Sequence, residues 1–254
     1  MNIAVCADKR VGYELLDFIL KKNKEPVKFV ITQEKSPYKD RIKALCLENE
    51  IPCYTNIKCN TPEFKFLLQE ESIDIGLLLW WPTILKKDVI QSVTTGFINT
   101  HPSLIPLNRG KHPYYWATVN ENPIGSTLHF INENVDEGNI LFQEAYDTNI
   151  DDTGDEIYEK SLNHMIYLFK KNYINILEGT YTLKRPDLNA GDFHLSKEIE
   201  THSCIDLNRS YTGRQLINII RARTFKNSKS AYFIHNEKKY FVRIQIEEDQ
   251  GQYD

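Results

Sequence analysis

The sequence predicts an α/β fold in which a mostly parallel sheet carries helices on both faces, followed by a small C-terminal helix and β-hairpin. Three observations predict it. Short apolar runs alternate with amphipathic segments over residues 1–101, the run at residues 73–81 is almost entirely apolar, and an alternating polar and apolar stretch follows residue 230. A nearly unbroken apolar run is typical of a strand that is buried on both faces of a parallel sheet.

The first half of the chain alternates strands with helices. Short apolar, β-branched runs predict strands at residues 2–7, 26–32, 51–55, 73–81 and 96–101. Apolar residues at helical spacing predict helices at residues 12–22, 38–50 and 61–71, and residues 82–93 are expected to cover the fourth strand. This alternation is typical of right-handed βαβ units and therefore of a Rossmann-like sheet.

The pattern changes after residue 101. Residues 125–131 and 139–147 are two predicted strands with no helix between them, so we expect the sheet to end in an antiparallel or mixed section. Thr153 and Glu156 have capping-box spacing, and Gly179 suits a helix end, which predicts a helix over residues 153–179. The remaining elements are a linker with little regular structure, a helix and a hairpin, at residues 180–212, 213–225 and 230–247.

We therefore expect one Rossmann-like domain at residues 1–180, followed by a linker and a small α/β extension at residues 181–254. The net charge of -4 gives no electrostatic reason to expect a nucleic acid partner. The apolar run around residue 80 is far shorter than the ~18 residues of a membrane span. Five cysteines without a C-x-x-C pair favour a reduced, cytoplasmic protein without structural zinc.

Two segments contain candidate catalytic residues. Asn99 and His101 share one face of a strand end, about 6–7 Å apart along the chain, where ligands of open α/β sheets bind. An asparagine amide can stabilise a developing oxyanion, and a neutral histidine can take a proton from an attacking amine. Asp136 lies in a turn ending at Gly138 and could orient the imidazole. A loop cap, a structural histidine and a structural turn also fit these residues.

The stretches "NTHPSLIPLNRGKHPYYWA" and "IGSTLHFINENVDEGNIL" resemble the long composite signature of the formyltetrahydrofolate-dependent formyltransferases, strongly over about residues 73–145. The resemblance implies N10-formyltetrahydrofolate as the formyl donor, no metal, and Asn99, His101 and Asp136 as the catalytic residues. His101 would be the base, Asn99 would stabilise the oxyanion, and Asp136 would support the histidine and help proton transfer to the departing folate nitrogen. His129 would support the site from its strand.

The resemblance also implies where the substrates bind. The pterin of the donor would contact main-chain groups of two segments, at Leu79, Trp80, Trp81, Pro82, Ile84, Ile131, Asn132 and Val135. The acceptor would contact Lys9, Arg10, Arg109, Tyr115 and Arg221. For the first two of these a solvated charged turn is an alternative, and for Arg109 a structural arginine is equally compatible.

Chain size and the C-terminal tail resemble the sugar N-formyltransferases more than the tRNA or purine enzymes of the family. We therefore expect an acceptor of the dTDP-4-amino-4,6-dideoxyglucose type, used for bacterial O-antigen, lipopolysaccharide or related glycan synthesis, and a homodimer formed through the tail. The alternatives are a methionyl-tRNA formyltransferase-like enzyme, a non-catalytic binder of folate or nucleotide sugar, and a formyltetrahydrofolate hydrolase. The sequence leaves open whether the amine is at C-3 or C-4, and which nucleotide carries the sugar.

Overall fold

A computed structural model describes residues 1–226, 230–249 and 251. The chain divides into two units, the first formed by Met1–His101, Ser126–Glu144 and Asn163–Asp187, and the second by Pro102–Gly125, Ala145–Leu162 and Leu188–Asp254. Part of the predicted extension at 181–254, namely residues 227–229, 250 and 252–254, lies outside the described residues. The domain boundary at residue 180 stays a prediction.

The described residues form eleven strands: β1 Ile3–Ala7, β2 Val27–Ile31, β3 Cys53–Tyr54, β4 Ile75–Leu79, β5 Gly96–His101, β6 Arg109–Gly110, β7 Gly125–Phe130, β8 Ile140–Ala145, β9 Phe193–His194, β10 Ala231–His235 and β11 Lys238–Val242. They also form eight α-helices: α1 Lys9–Asn23, α2 Lys39–Glu48, α3 Pro62–Glu70, α4 Lys87–Ile90, α5 Pro113–Val119, α6 Gly154–Glu178, α7 Glu198–His202 and α8 Gly213–Ala222. One 3-10 turn spans Leu188–Ala190.

Seven strands build the main sheet in the order β3-β2-β1-β4-β5-β7-β8. The pairs from β3 to β5 are parallel, whereas β7 runs antiparallel to β5. The predicted mostly parallel sheet with a mixed end is therefore confirmed. β1 and β4 are buried at every residue because they lie in the middle of the sheet, which explains their apolar runs.

At β5 the strand pairing of the sheet changes from parallel to antiparallel. On one side Leu78 of β4 pairs with Asn99 in parallel register, and on the other side Asn99 lies opposite His129 of β7. His101 lies opposite Thr127 in the same antiparallel ladder. The antiparallel pairing therefore places Asn99 and His101, in the carboxyl-terminal half of β5, next to residues 127–129 of β7.

The long helix α6 confirms the strongest helix prediction. Both the backbone N and the Oγ1 of Thr153 donate to Glu156 Oε2, at 2.7 and 2.8 Å. The two predicted residues therefore do interact at the N-terminus of the helix. Apolar residues at helical spacing along α6 are buried, with Met165, Phe169 and Tyr173 fully so. Burial of this stripe, rather than helix propensity alone, stabilises a helix of this length.

Residues 82–93 are not the covering helix that we expected, because only Lys87–Ile90 is helical. The side chain of Asn60 explains the difference. Its Nδ2 donates to the carbonyl of Ile84, and its Oδ1 accepts from the backbone N of Lys86, both at 2.9 Å. A residue from another segment thus satisfies backbone groups that a helix would otherwise pair.

Three further elements, α5, β9 and α7, were not predicted. Helix α5 begins at Pro113, whose fixed φ suits the first helical position, within a segment for which the sequence analysis gave no element. Residues 180–212 were expected to have little regular structure, yet they contain β9 and α7. β9 pairs in parallel with β6, which lies more than 80 residues earlier in the chain.

The second unit also contains the predicted C-terminal helix and hairpin. The side chains of Thr212 and Gln215 form a reciprocal capping box at the start of α8. β10 and β11 pair in antiparallel register, and Ile219, Ile220 and Ala231 are buried together between helix and hairpin. No helix in the described parts of the chain is long and apolar enough to cross a membrane.

Candidate active site

The antiparallel pairing of β5 and β7 brings Asn99 to His129. Asn99 Nδ2 lies 3.2 Å from His129 Nε2, and His129 Nδ1 lies 2.9 Å from the carbonyl oxygen of Phe130. Because a carbonyl can only accept, the hydrogen of a neutral His129 is on Nδ1, and Nε2 accepts from the Asn99 amide. This leaves the second amide hydrogen of Asn99 available to another acceptor.

Burial determines the charge of His129, whose side chain has no exposed surface. Removal from water lowers the pKa of His129 to about 4, although the nearby Asp136 carboxylate partly opposes this effect. His129 is therefore neutral near pH 7. This agrees with a histidine that orients Asn99 rather than one that serves as a second base.

Asp136 lies between the two histidines. Its Oδ2 is 3.5 Å from His101 Nδ1, its Oδ1 is 3.6 Å from His129 Nε2, and its side chain is 10% exposed. The residue has a φ of 55°, which is uncommon outside glycine. A Cβ on Gly138 would lie 1.7 Å from the carbonyl oxygen of Phe130, so only glycine lets this turn fold back onto β7.

His101 is buried, with 7% of its side chain exposed, and in the described parts of the chain only one of its ring nitrogens has a partner. Nδ1 faces Asp136, whereas Nε2 has no hydrogen-bond partner among the described residues. Leaving a buried polar atom without a partner costs about 1–3 kcal/mol, and such atoms mark places where a ligand or water completes the site. Nε2 is thus the ring atom positioned to take a proton.

The structure also brings the two predicted donor segments together. An ion pair of 2.5 Å between Lys87 and Glu133 links the segment after β4 to the segment after β7. Trp81 and Ile131 pack against the same core cluster, and the indole Nε1 of Trp81 is buried without a hydrogen-bond partner among the described residues. Of the remaining predicted donor contacts, Leu79 is buried, Trp80 and Val135 are half-buried, and Pro82, Ile84 and Asn132 are exposed.

Two residues that position these segments were not predicted. Thr100 points away from the catalytic face of β5, and its Oγ1 accepts a 3.3 Å hydrogen bond from the backbone N of Trp80. The only sequence signal was a threonine between Asn99 and His101. Glu133 gave no signal, because an exposed glutamate in a polar turn usually has no partner.

The predicted acceptor residues fall into two sets. Lys9 is exposed at the start of α1, and Arg10 lies 3.9 Å from Glu14, both in the first unit. Arg109 and Tyr115 are buried in the second unit, where the Tyr115 hydroxyl is 2.7 Å from His202 Nδ1. The role of all of them in acceptor binding stays a prediction.

Arg221, the fifth predicted acceptor residue, is also buried in the second unit. Its guanidinium donates to Asn218 Oδ1 at 2.8 Å, to the carbonyl of Asn149 at 3.2 Å and to that of Asp152 at 3.0 Å. These partners use the side chain to hold chain segments together. The structure therefore gives Arg221 a structural role and leaves its substrate role a prediction.

Comparison with known proteins agrees with this geometry. The family model for formyl transferase matches residues 2–169, and the model for the N-formyltransferase dimerization C-terminal domain matches residues 198–248. A dTDP-4-amino-4,6-dideoxyglucose formyltransferase from Mycobacterium tuberculosis is 29% identical over 151 residues, which cover 59% of this chain and 64% of the relative. The match to that relative thus spans less than two thirds of its length.

A methionyl-tRNA formyltransferase from Clostridioides difficile is 26% identical over 93% of this chain and 77% of the relative. Among solved structures, a 4-N formyltransferase from Francisella tularensis has a TM-score of 0.79, with 26% identity and coverage of 98% of both chains. An N-formyltransferase from Helicobacter canadensis, in complex with folinic acid and dTDP-3-aminofucose, has a TM-score of 0.73, with 23% identity and coverage of 94% and 86%. Because the formyl transferase model matches more than half of the chain and the site residues converge, this protein belongs to the formyl transferase family.

Proposed function

We propose that this protein transfers a formyl group from N10-formyltetrahydrofolate to the amine of a nucleotide-linked amino sugar of the dTDP-4-amino-4,6-dideoxyglucose type. The reaction takes place in the cytoplasm and serves O-antigen or related glycan synthesis. One observation carries the proposal: His101 is buried with Asp136 at Nδ1 and with no partner at Nε2 among the described residues. A buried base whose Nε2 is left without a partner by the described residues suits an amine that must lose a proton.

His101 and Asp136 handle the proton. His101 Nε2 accepts the proton that the amine loses as its nitrogen bonds to the formyl carbon. Asp136 Oδ2, 3.5 Å from Nδ1, favours the tautomer with a free Nε2 and stabilises the imidazolium that forms. The same proton is then available to the nitrogen that departs when its bond to the formyl carbon breaks.

Asn99 stabilises the oxygen. As the amine attacks, the formyl oxygen gains negative charge, and the amide hydrogen that His129 leaves unused can donate to it. His129 fixes the orientation of this amide before substrate binds, because its own Nδ1 is held by the Phe130 carbonyl. A donor that needs no reorientation during the reaction stabilises the transition state more effectively.

The formyl donor would bind along the segments at 79–84 and 131–135. When bound, the folate supplies an activated one-carbon group at the formyl oxidation level. Support comes from the Lys87–Glu133 ion pair that holds the two segments together, and from the buried Trp81 Nε1 and His101 Nε2 that lack protein partners among the described residues. The Helicobacter enzyme, which shares the fold, binds folinic acid, a formylated folate.

An amino sugar is the acceptor that we favour. The Mycobacterium and Francisella relatives act on 4-amino groups by name, whereas the Helicobacter enzyme binds a 3-amino sugar. The match of residues 198–248 to a dimerization domain supports a homodimer through the tail. A methionyl-tRNA acceptor is the second candidate, favoured by the Clostridioides relative that covers 93% of the chain, but a net charge of -4 suits a tRNA partner poorly.

The test is an acceptor panel with the full-length protein and N10-formyltetrahydrofolate. Tetrahydrofolate release and formylated product are measured with dTDP-linked 4-amino and 3-amino sugars and with initiator methionyl-tRNA. We expect turnover with a 4-amino sugar and, in light scattering, twice the chain mass of 29.7 kDa. Turnover with charged tRNA alone would overturn the sugar acceptor, and calorimetric binding of both ligands without turnover would identify a non-catalytic binder.

A further inference from the structure

The chain segment that directly follows His101, residues 102–112, is held by a second segment at residues 188–194, which we call the strap. β6 in the 102–112 loop pairs in parallel with β9 in the strap. The backbone N of Arg109 donates to the carbonyl of Asp192 at 3.1 Å, and that of Lys111 donates to the carbonyl of His194 at 3.0 Å. The polar, Pro- and Gly-broken pattern of this stretch does not predict such pairing.

The carboxylate of Asp192 adds a side-chain link between loop and strap. Its Oδ1 accepts from the backbone N of Asn108, and its Oδ2 lies 2.8 Å from His194 Nε2. Asn108 has a φ of 54°, a left-handed conformation that non-glycine residues seldom adopt. Asp192 therefore helps to hold Asn108, and with it the loop, in this left-handed conformation.

His194 anchors the chain beyond the loop. Its ring stacks on the indole of Trp116 in α5, with 3.9 Å between the ring centroids and 9° between the planes. Its second nitrogen, Nδ1, lies 3.2 Å from Glu198 Oε2. The strap thus contacts the chain on both sides of Arg109, at Asn108 before it and at Trp116 after it.

The two backbones approach too closely for any side chain between them. A Cβ added to Gly110 would lie 2.4 Å from the carbonyl oxygen of His194, and one added to Gly191 would lie 2.0 Å from that of Pro106. Glycine is required at both points for this approach. The loop therefore has little freedom while the strap is in place.

We propose that Asp192 is a positioning residue for the amine acceptor. Through Asn108 and through the stack of His194 on Trp116, it fixes the loop that presents Arg109, and it thereby sets the affinity for the acceptor. Donor affinity does not depend on it, because the partners of Asp192 lie in the second unit and the donor segments lie in the first. This inference rests on the proposed function for its acceptor.

The kinetic test compares Asp192→Ala, Asp192→Asn and a matched control, Asp206→Ala. Asp206 is also in the second unit, and its Oδ1 accepts from the backbone N of Asn208 at 2.9 Å, so this control removes a similar carboxylate from a turn outside the strap. With the best acceptor of the panel, we expect Asp192→Ala to raise the acceptor KM about tenfold, since small displacements of a positioning segment are costly. The donor KM and the kcat should stay near wild type. Asp192→Asn keeps an oxygen that can face Asn108 and should recover part of the loss, and Asp206→Ala should match wild type.

A second readout needs no acceptor. Hydrogen exchange of amides in residues 105–112 should be faster in Asp192→Ala than in wild type or Asp206→Ala, because the backbone N–H groups of Asn108, Arg109 and Lys111 all donate to this strap. An unchanged acceptor KM, or an equal rise in both KM values, would overturn the inference. If the alanine variant does not fold, the asparagine variant decides, with about a threefold rise in acceptor KM expected. If no amine is formylated by wild type, the proposed function fails, and the exchange experiment alone decides whether Asp192 fixes the loop.

Discussion

Two buried polar side chains, one in each unit, differ in how completely the protein satisfies them. Arg221 in the second unit is 8% exposed and donates to Asn218 and to two backbone carbonyls. His101 in the first unit is buried to a similar degree, yet its Nε2 has no partner in the described parts of the chain. Burial of a polar group is costly unless it is hydrogen-bonded. The satisfied arginine stabilises the fold, whereas the unsatisfied histidine marks a place that a ligand or water would complete.

The largest effect that we expect from this comparison between His101 and Arg221 is at His101. Replacing His101 by Asn removes the proposed base, and we expect kcat to fall by about 10³. We expect little change in melting temperature, because Nε2 has no hydrogen-bond partner among the described residues and the asparagine amide can still donate to Asp136 in place of Nδ1. Tetrahydrofolate release and thermal unfolding measure the two effects. His164→Asn is the control, since this half-buried histidine of the first unit bonds Ser126 Oγ at 3.0 Å and takes no part in the proposed chemistry.

A melting temperature that falls together with the rate in His101→Asn would show that this histidine is structural after all. The contrast between an unsatisfied functional histidine and a satisfied structural arginine would then no longer hold for His101. A rate near that of wild type would remove His101 from the mechanism.

A substitution of Arg221 tests whether the satisfied arginine stabilises the fold. Arg221→Met removes three hydrogen bonds and leaves the carbonyls of Asn149 and Asp152 without this donor, so we expect the free energy of unfolding to fall by about 3 kcal/mol. The acceptor KM of the folded protein should not change. Urea unfolding and steady-state kinetics measure this. Arg214→Met is the control, because Arg214 is on the same helix and 67% exposed. Unchanged stability with a raised acceptor KM would instead support the sequence-based prediction that Arg221 binds substrate.

The placement of Asn99 and His101 on one face of β5 could be predicted because that information is local, whereas their catalytic role stays a prediction. Strand periodicity places Asn99 and His101 on one face, and the sheet order places their strand where ligands bind. The approach of Asp136 was implied only by the resemblance. It depends on a positive φ at Asp136 and on the contact of Gly138 with the Phe130 carbonyl, and neither follows from the local pattern.

The missed elements have non-local causes, with one exception. Asn60 keeps residues 84–86 out of a helix, and Asp192 reaches Asn108 across 84 residues of sequence, so neither effect is visible in a local window. Helix α5 is the exception. Pro113 at its first position is a recognised start signal that the aromatic run after it obscured.

His129 is a third buried polar side chain, and both of its ring nitrogens are hydrogen-bonded only while the ring is neutral. Its Nδ1 donates to Phe130 and its Nε2 accepts from Asn99, and protonation would turn that acceptor into a donor facing another donor. Burial lowers its pKa from 6.5 to about 4. Between these values the unfolded chain binds a proton that the folded chain does not, so stability must decrease as pH falls through this range.

We expect His129 to account for a loss of about 1 kcal/mol in the free energy of unfolding between pH 7.5 and pH 5.5. Other groups titrate in the same range, so the measurement compares the loss in free energy of unfolding between the two pH values in wild type with the same loss in His129→Gln, both by urea unfolding. The variant should lose less stability than wild type by that amount. Equal losses would mean that His129 accepts its proton without cost in the folded state. In that case Nε2 could not be the acceptor that orients Asn99, and the amide would lack the fixed direction that oxyanion stabilisation requires.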